Sequence, residues 1–250
     1  MDAAIDIRGL CVTFPTPTGP VQAVQDLTLS IEPGTVFGFL GPNGAGKTTT
    51  LLALLGFLKP TAGQAFVLGQ DVSDTIARER IGYLAENPDT YTFLTGRELL
   101  ALTGRLFRLP ASVIRDRATR LLADMGLTQA ADRRIAGYSR GMRQRICIAQ
   151  SLMNDPDLLI LDEPTGGMDP LGRMDIRRLI GERRAAGKTV FFSSHELSEV
   201  ELVCDKVALV AGGRLLAVGR TAELVQPGES LERFFVSRVL AEARRIGGAA

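Results

Sequence analysis

Apolar positions along the chain fall into short runs punctuated by glycine and proline, and these runs alternate with stretches of helical period. "AIDIRGLCVTF" and "VQAVQDLTLSI" predict two strands joined through the loop "PTPTGP". "TVFGFL" predicts a buried strand that runs into a glycine loop and then a helix from about Lys47, and "GQAFVLG" and "RIGYLA" follow. From about Asn87 to Asp155 the period becomes helical. Thr95 and Glu98 have the spacing of a capping box, with Leu99, Leu102 and Leu106 on the face that follows. A second helix carries Ile114, Ala118, Leu121 and Met125 and stops at Gly126. A third, over 141–153, places Met142, Ile146, Ala149 and Met153 on one face. Then come the strand "DLLIL", a helix from about Leu171, the strand "TVFFSS", a short helix and the hairpin-like "KVALVAGGRLLAVG". The stretch from Ser230, with Leu231, Phe234, Phe235 and Val239 apolar, predicts a helix that packs on the core.

This order predicts an α/β fold with a mainly parallel sheet, an N-terminal antiparallel β subdomain and an inserted α-helical subdomain. One domain over 1–250 is expected, with 1–86 and 156–250 forming the core and β subdomain and 87–155 the helical insert. At 250 residues and 45% hydrophobic the chain can bury a sizeable core. Its 29 basic and 28 acidic residues nearly cancel, which argues against a nucleic-acid partner. Cys11, Cys147 and Cys204 are far apart and form no CxxC, so they read as reduced residues in or near the core. "MDAAIDIRGL" is not a signal peptide, and "LLALLGFL" is far short of the about 20 residues that span a bilayer. The expectation is a cytosolic chain with no membrane insertion of its own.

"GPNGAGKT" fits the phosphate-loop pattern GxxxxGK[ST], placed after a strand and before a helix as the motif requires. Gly41, Pro42, Asn43, Gly44, Ala45 and Gly46 would wrap a phosphate chain with backbone N–H groups. The helix N-terminus adds positive charge there. Lys47 would reach the β- and γ-phosphates, Thr48 would offer a hydroxyl to Mg²⁺, and Thr49 completes the binding stretch. "LLILDEPT" delivers Asp162 to the C-terminal edge of the sheet, where it can hold Mg²⁺. Glu163 stands next to it as a candidate base for an attacking water. His195 is the one histidine of the chain and directly follows "TVFFSS", where it would hydrogen-bond a γ-phosphate or the attacking water.

The octapeptide "YSRGMRQR", residues 138–145, sets three arginines around a glycine at a helix start. With the phosphate loop, the DE-ended strand and "SSH", it resembles the ATPase of an ABC transporter, over essentially the whole chain. The resemblance implies a phosphate-loop NTPase core that uses ATP and Mg²⁺. "YSRGM" stands where the family carries LSGGQ, so Ser139 and Gly141 are implied to contact ATP held by the opposite subunit. "GGMD" (166–169) stands at the D-loop, Phe14 where an aromatic stacks on adenine, and Glu86 where a glutamine contacts Mg²⁺ and the membrane partner. Arg140, Met142 and Glu86 depart from the usual pattern. One signature and one phosphate loop per chain imply a head-to-tail pair, either a homodimer or a pair with a paralogous ATPase. The implied function is to drive transport, export rather than import, through a separate integral membrane permease at the inner face of the cell membrane. The competing reading is a soluble ABC ATPase that acts on nucleic acid or ribosomes. Against it, the segment between Lys47 and Asp162 is a compact helical insert rather than a long coiled coil, and the chain has one cassette.

Overall fold

The computed structural model describes residues 3–166, 168–225 and 230–247, with side chains through 242. Strands β1 (Ile5–Phe14), β2 (Val21–Ile31) and β3 (Val36–Leu40) lead into helix α1 (Lys47–Leu54). Next come β4 (Ala62–Val67), β5 (Gln70–Asp71) and β6 (Ile81–Leu84). Helices α2 (Gly96–Leu106), α3 (Ala111–Asp124) and α4 (Arg140–Ser151) follow. The remainder is β7 (Leu158–Asp162), α5 (Pro170–Ala185), β8 (Thr189–Ser194), α6 (Leu197–Val203), β9 (Lys206–Ala211), β10 (Arg214–Arg220), α7 (Thr221–Leu224) and α8 (Leu231–Gly247).

β2-β1-β4-β5 form an antiparallel sheet, and β10-β9-β3-β8-β7-β6 form a second sheet in which only the β9–β10 pair is antiparallel. Every residue of β3, β7 and β8 is buried, because both faces of this sheet are covered. Alternation along β3 divides the core in two. Val36 and Leu40 face the helical layer, while Phe37 and Phe39 face α1 and the antiparallel sheet. The Phe37 and Phe39 rings meet Phe191 of β8 at centroid separations of 6.0 and 5.5 Å. Each buried ring contributes about 1.5–3 kcal/mol of transfer free energy.

α2 begins as its sequence predicts. The Thr95 hydroxyl accepts from the Glu98 N–H, and the Glu98 carboxylate accepts from the Thr95 N–H. The buried face is not the leucine stripe that periodicity suggests. Leu99, Leu100, Thr103 and Gly104 are buried, Leu102 is half-buried and Leu106 is exposed. Gly104 sets this rotation. A methyl group there would meet Ile114 of α3 at 2.7 Å and Met153 at 3.1 Å, so the helices pack through the glycine and not over a leucine.

α3 buries Ile114, Ala118 and Leu121, and Gly126 ends it with a φ of +64°. α4 starts at Arg140 and ends at Ser151, so Met153, although buried, lies beyond the helix. α8 packs on the core through the fully buried Leu231 and the half-buried Phe234 and Phe235. Cys147 is buried and its thiol is pushed up to about 11, chiefly by desolvation. Among the described residues no helix is long and apolar enough to cross a membrane.

Candidate functional site

Strand order builds the site. β3, β8 and β7 are neighbours and run parallel, so the loops that leave their C-terminal ends emerge side by side. The phosphate loop follows β3, Glu163 follows β7 and His195 follows β8. Register fixes the heights: Leu40 pairs with Ser194, and Asp162 pairs with Ser193.

Gly46, with a φ of +94°, sits directly under the Ala23 carbonyl of β2, and a side chain there would collide with it. Gly41 is pressed in the same way against the Val210 carbonyl of β9. The Gly213 N–H donates to the Ala45 carbonyl at 3.2 Å. A cleft of about 390 Å³ opens over the loop and is lined by Pro42 through Thr49 together with Ala23, Glu86 and Glu163. Thr48 and Glu86 are exposed and Thr49 is half-buried.

Lys47 is only 7% exposed, and its ammonium donates to the Gly41 carbonyl at 2.7 Å. It also lies 3.2 Å from Glu163 Oε1. The other carboxylate oxygen, Glu163 Oε2, meets His195 Nδ1 at 2.8 Å, while the His195 ring remains half exposed. Lys47, Glu163 and His195 thus form a continuous polar chain from the phosphate loop to the end of β8. Glu163 is held there with a φ of +48°, in the left-handed region that a side chain rarely adopts. Such a residue costs about 1–3 kcal/mol unless its surroundings hold it.

Asp162 is fully buried. Its Oδ1 accepts a short hydrogen bond from the Ser193 hydroxyl, and its Oδ2 has no protein partner. A fully buried carboxylate oxygen without a donor is the ligand that a hard divalent cation needs. Thr48 and Glu86 offer further oxygens along the cleft, so the residues present fit Mg²⁺. The same carboxylate contributes, after burial, to pushing the Tyr83 hydroxyl up to about 12.

Ser139 and Gly141 are not part of this cleft. They line a separate cavity of about 360 Å³ with Met142, Arg145, Met168 and Asp169. Ser139 caps α4 by accepting from the Met142 N–H at 3.2 Å, so its oxygen is engaged while its hydroxyl proton can still be donated. A methyl group at Gly141 would meet nothing within 4 Å, so this chain's own packing does not require glycine there. Arg140 is exposed, Arg143 donates to the Tyr138 carbonyl at 2.8 Å, and Arg145 lies 3.2 Å from Asp175 of α5.

Asp169 caps α5 through the Gly172 N–H, while Gly167 of the "GGMD" turn lies outside the described residues. Phe14 stands at the end of β1, 37% exposed and opposite Val21, and is not among the residues that line the cleft. Two residues escaped the sequence reading. Ser193 bridges Asp162 and Glu163, and buried Gln144 of α4 donates to the Pro164 carbonyl at 3.3 Å. A serine inside the apolar strand "TVFFSS" and a glutamine on a buried helix face were the available signals.

A phosphate loop at the edge of a parallel sheet, facing an Asp-Glu pair on a nearby strand, defines a P-loop nucleotide-binding domain. The ABC transporter family model matches residues 24–166, more than half of the chain, and the chain belongs to this family. An uncharacterized ABC transporter ATP-binding protein of a Nostoc species is 48% identical over 82% of this chain and 62% of its own length. A fluoroquinolones export ATP-binding protein of Mycobacterium tuberculosis is 39% identical over 88% of this chain and 72% of that one. A solved ATP-binding subunit of an ABC transporter superposes with a TM-score of 0.85 at 27% identity, covering 94% of this chain and 99% of that one. The chain spans less than two thirds of several curated relatives, at 62%, 60% and 64% of their lengths.

Proposed function

We propose that the chain is the ATP-binding and ATP-hydrolysing subunit of a transporter, working as a pair of cassettes on the cytoplasmic face of a separate membrane permease. The observation that carries this reading is the Lys47–Glu163–His195 chain beside the unpartnered oxygen of Asp162. The loop N–H groups and the Lys47 ammonium would take the phosphates. The Glu163 carboxylate accepts a proton from water as its oxygen bonds to the γ-phosphorus and the bond to the β–γ bridging oxygen breaks. The paired His195 holds that carboxylate in place and keeps its Nε2 for the phosphate or the water. Mg²⁺ held by Thr48, Asp162 and Glu86 would neutralise charge on the phosphate oxygens. Export is the direction supported by the names of relatives such as the Mycobacterium protein above. Near-neutral net charge weighs against a role on nucleic acid.

A pair is required because Ser139 and Gly141 open into a cavity that shares no residue with the phosphate-loop cleft of the same chain. Two chains facing head to tail bring each signature turn over the other's phosphate loop. Sedimentation of Glu163→Gln should show a monomer without nucleotide and a dimer with saturating MgATP. A strictly monomeric species under both conditions, alone and with the permease, would refute the composite site.

Glu86 carries a second expectation. It lines the cleft as an exposed carboxylate, able to serve the metal as an amide would, at some cost in repulsion from phosphate. Glu86→Gln should keep ATPase activity within about threefold of wild type, whereas Glu86→Ala, which offers no oxygen to the metal, should lower it roughly tenfold or more. Equal and undiminished ATPase and transport in both variants would remove Glu86 from the site.

A further inference from the structure

Ser193 is fully buried in β8, and register sets it directly beside Asp162 of β7. Its hydroxyl makes two bonds of opposite sense. It donates its proton to Asp162 Oδ1 and accepts from the Glu163 N–H at 3.0 Å. A serine that only satisfies itself in a core donates to a nearby backbone carbonyl, as Ser151 does to Ile148. Ser193 instead spends its one proton on a carboxylate and its lone pair on the next residue's backbone.

We infer that Ser193 is a positioning residue that sets the metal ligand and the base together. Oδ1 of Asp162 is consumed by the hydroxyl, which leaves Oδ2 as the oxygen available to a cation. The bond from the Glu163 N–H holds the chain at the left-handed turn with a φ of +48°. That turn is what aims the Glu163 side chain between Lys47 and His195. One hydroxyl therefore couples the geometry of the two acids. The inference rests on the ATP and Mg²⁺ reading above and assigns to it a residue outside the phosphate loop and the acidic pair.

Ser193→Ala leaves a buried carboxylate oxygen and a buried N–H without partners. Binding of a fluorescent ATP analogue is measured in EDTA and in Mg²⁺ for wild type, Ser193→Ala and Ser193→Thr. Wild type should bind more tightly with Mg²⁺. In Ser193→Ala the Mg²⁺-dependent gain in affinity should fall roughly tenfold while affinity in EDTA stays unchanged, and kcat should fall by at least a similar factor. Ser193→Thr, which keeps the hydroxyl, should restore the gain. Should Ser193→Ala fail to fold, Ser193→Cys fills the site with a somewhat larger group, weakens both bonds and is expected to lose the gain in the same way. An unchanged gain in the Ala or Cys variant overturns the inference, and so does an equal loss of affinity with and without metal, the mark of a general packing defect. Wild type that binds no nucleotide, with or without Mg²⁺, would instead refute the ATPase reading itself.

Discussion

Glu163→Gln should bind MgATP and turn it over at least about a hundredfold more slowly than wild type, the scale of a lost general base. An amide has no basic oxygen to take the proton of the attacking water. The fold should survive, because the amide oxygen can still face Lys47, 3.2 Å away, and its NH₂ group can face the His195 ring. Lys47 also keeps the Gly41 carbonyl. Glu163→Ala would be the harsher change, since removing one partner of a buried ion pair costs about 3–5 kcal/mol. Phosphate release and nucleotide binding, measured on the same preparation, decide the matter. Hydrolysis by Glu163→Gln at the wild-type rate would mean that another group takes the proton.

Gly141→Asp should abolish turnover while leaving the isolated chain as stable as wild type. An added Cβ at this position meets nothing within 4 Å, so the fold leaves room for a side chain to start there. A carboxylate in the first turn of α4 is even favoured there, by about 0.3–1 kcal/mol. In the proposed pair, the same carboxylate would stand where the opposite chain's γ-phosphate belongs and would meet it with bulk and like charge. A fall of more than about a hundredfold in ATPase rate is expected, as for loss of a preorganised anion site. Arg140→Gly, which removes an exposed charge, should stay within about threefold of wild type. Thermal melts and ATPase rates at saturating ATP test all three proteins. If Arg140→Gly is as inactive as Gly141→Asp and still folded, Arg140 binds the phosphate and the roles assigned to this turn are reversed.

The parts of this molecule that were legible in the sequence are those written in local signals. The Thr95–Glu98 capping box, the Gly126 stop and the phosphate loop between β3 and α1 are each set by residues within one or two turns. The alternation of strands and helices gave the layered sheet because each run carries its own period. The expected burial of Leu106 fails for the opposite reason. Periodicity counts apolar residues on a helix and cannot see that Ile114 and Met153 approach through a glycine. Ser193 was hidden because its partners lie about thirty positions upstream, and only the β7–β8 register brings them into contact. The separation of the Ser139 cavity from the phosphate-loop cleft is likewise a property of the folded chain, absent from either motif alone.

The packing of the phosphate loop has a consequence for how the protein is made. Only glycine fits at position 46 beneath the Ala23 carbonyl and at position 41 against the Val210 carbonyl, and the Ala45 carbonyl accepts from the Gly213 N–H. The loop is therefore walled at once by the first part of the chain and by the last strands of the sheet. A nascent chain on the ribosome has synthesised "GPNGAGKT" long before Val210 exists, and at that stage the motif has no wall on its β9 side. Until translation has passed β9, the motif therefore lacks one of the two walls that flank it in the folded chain.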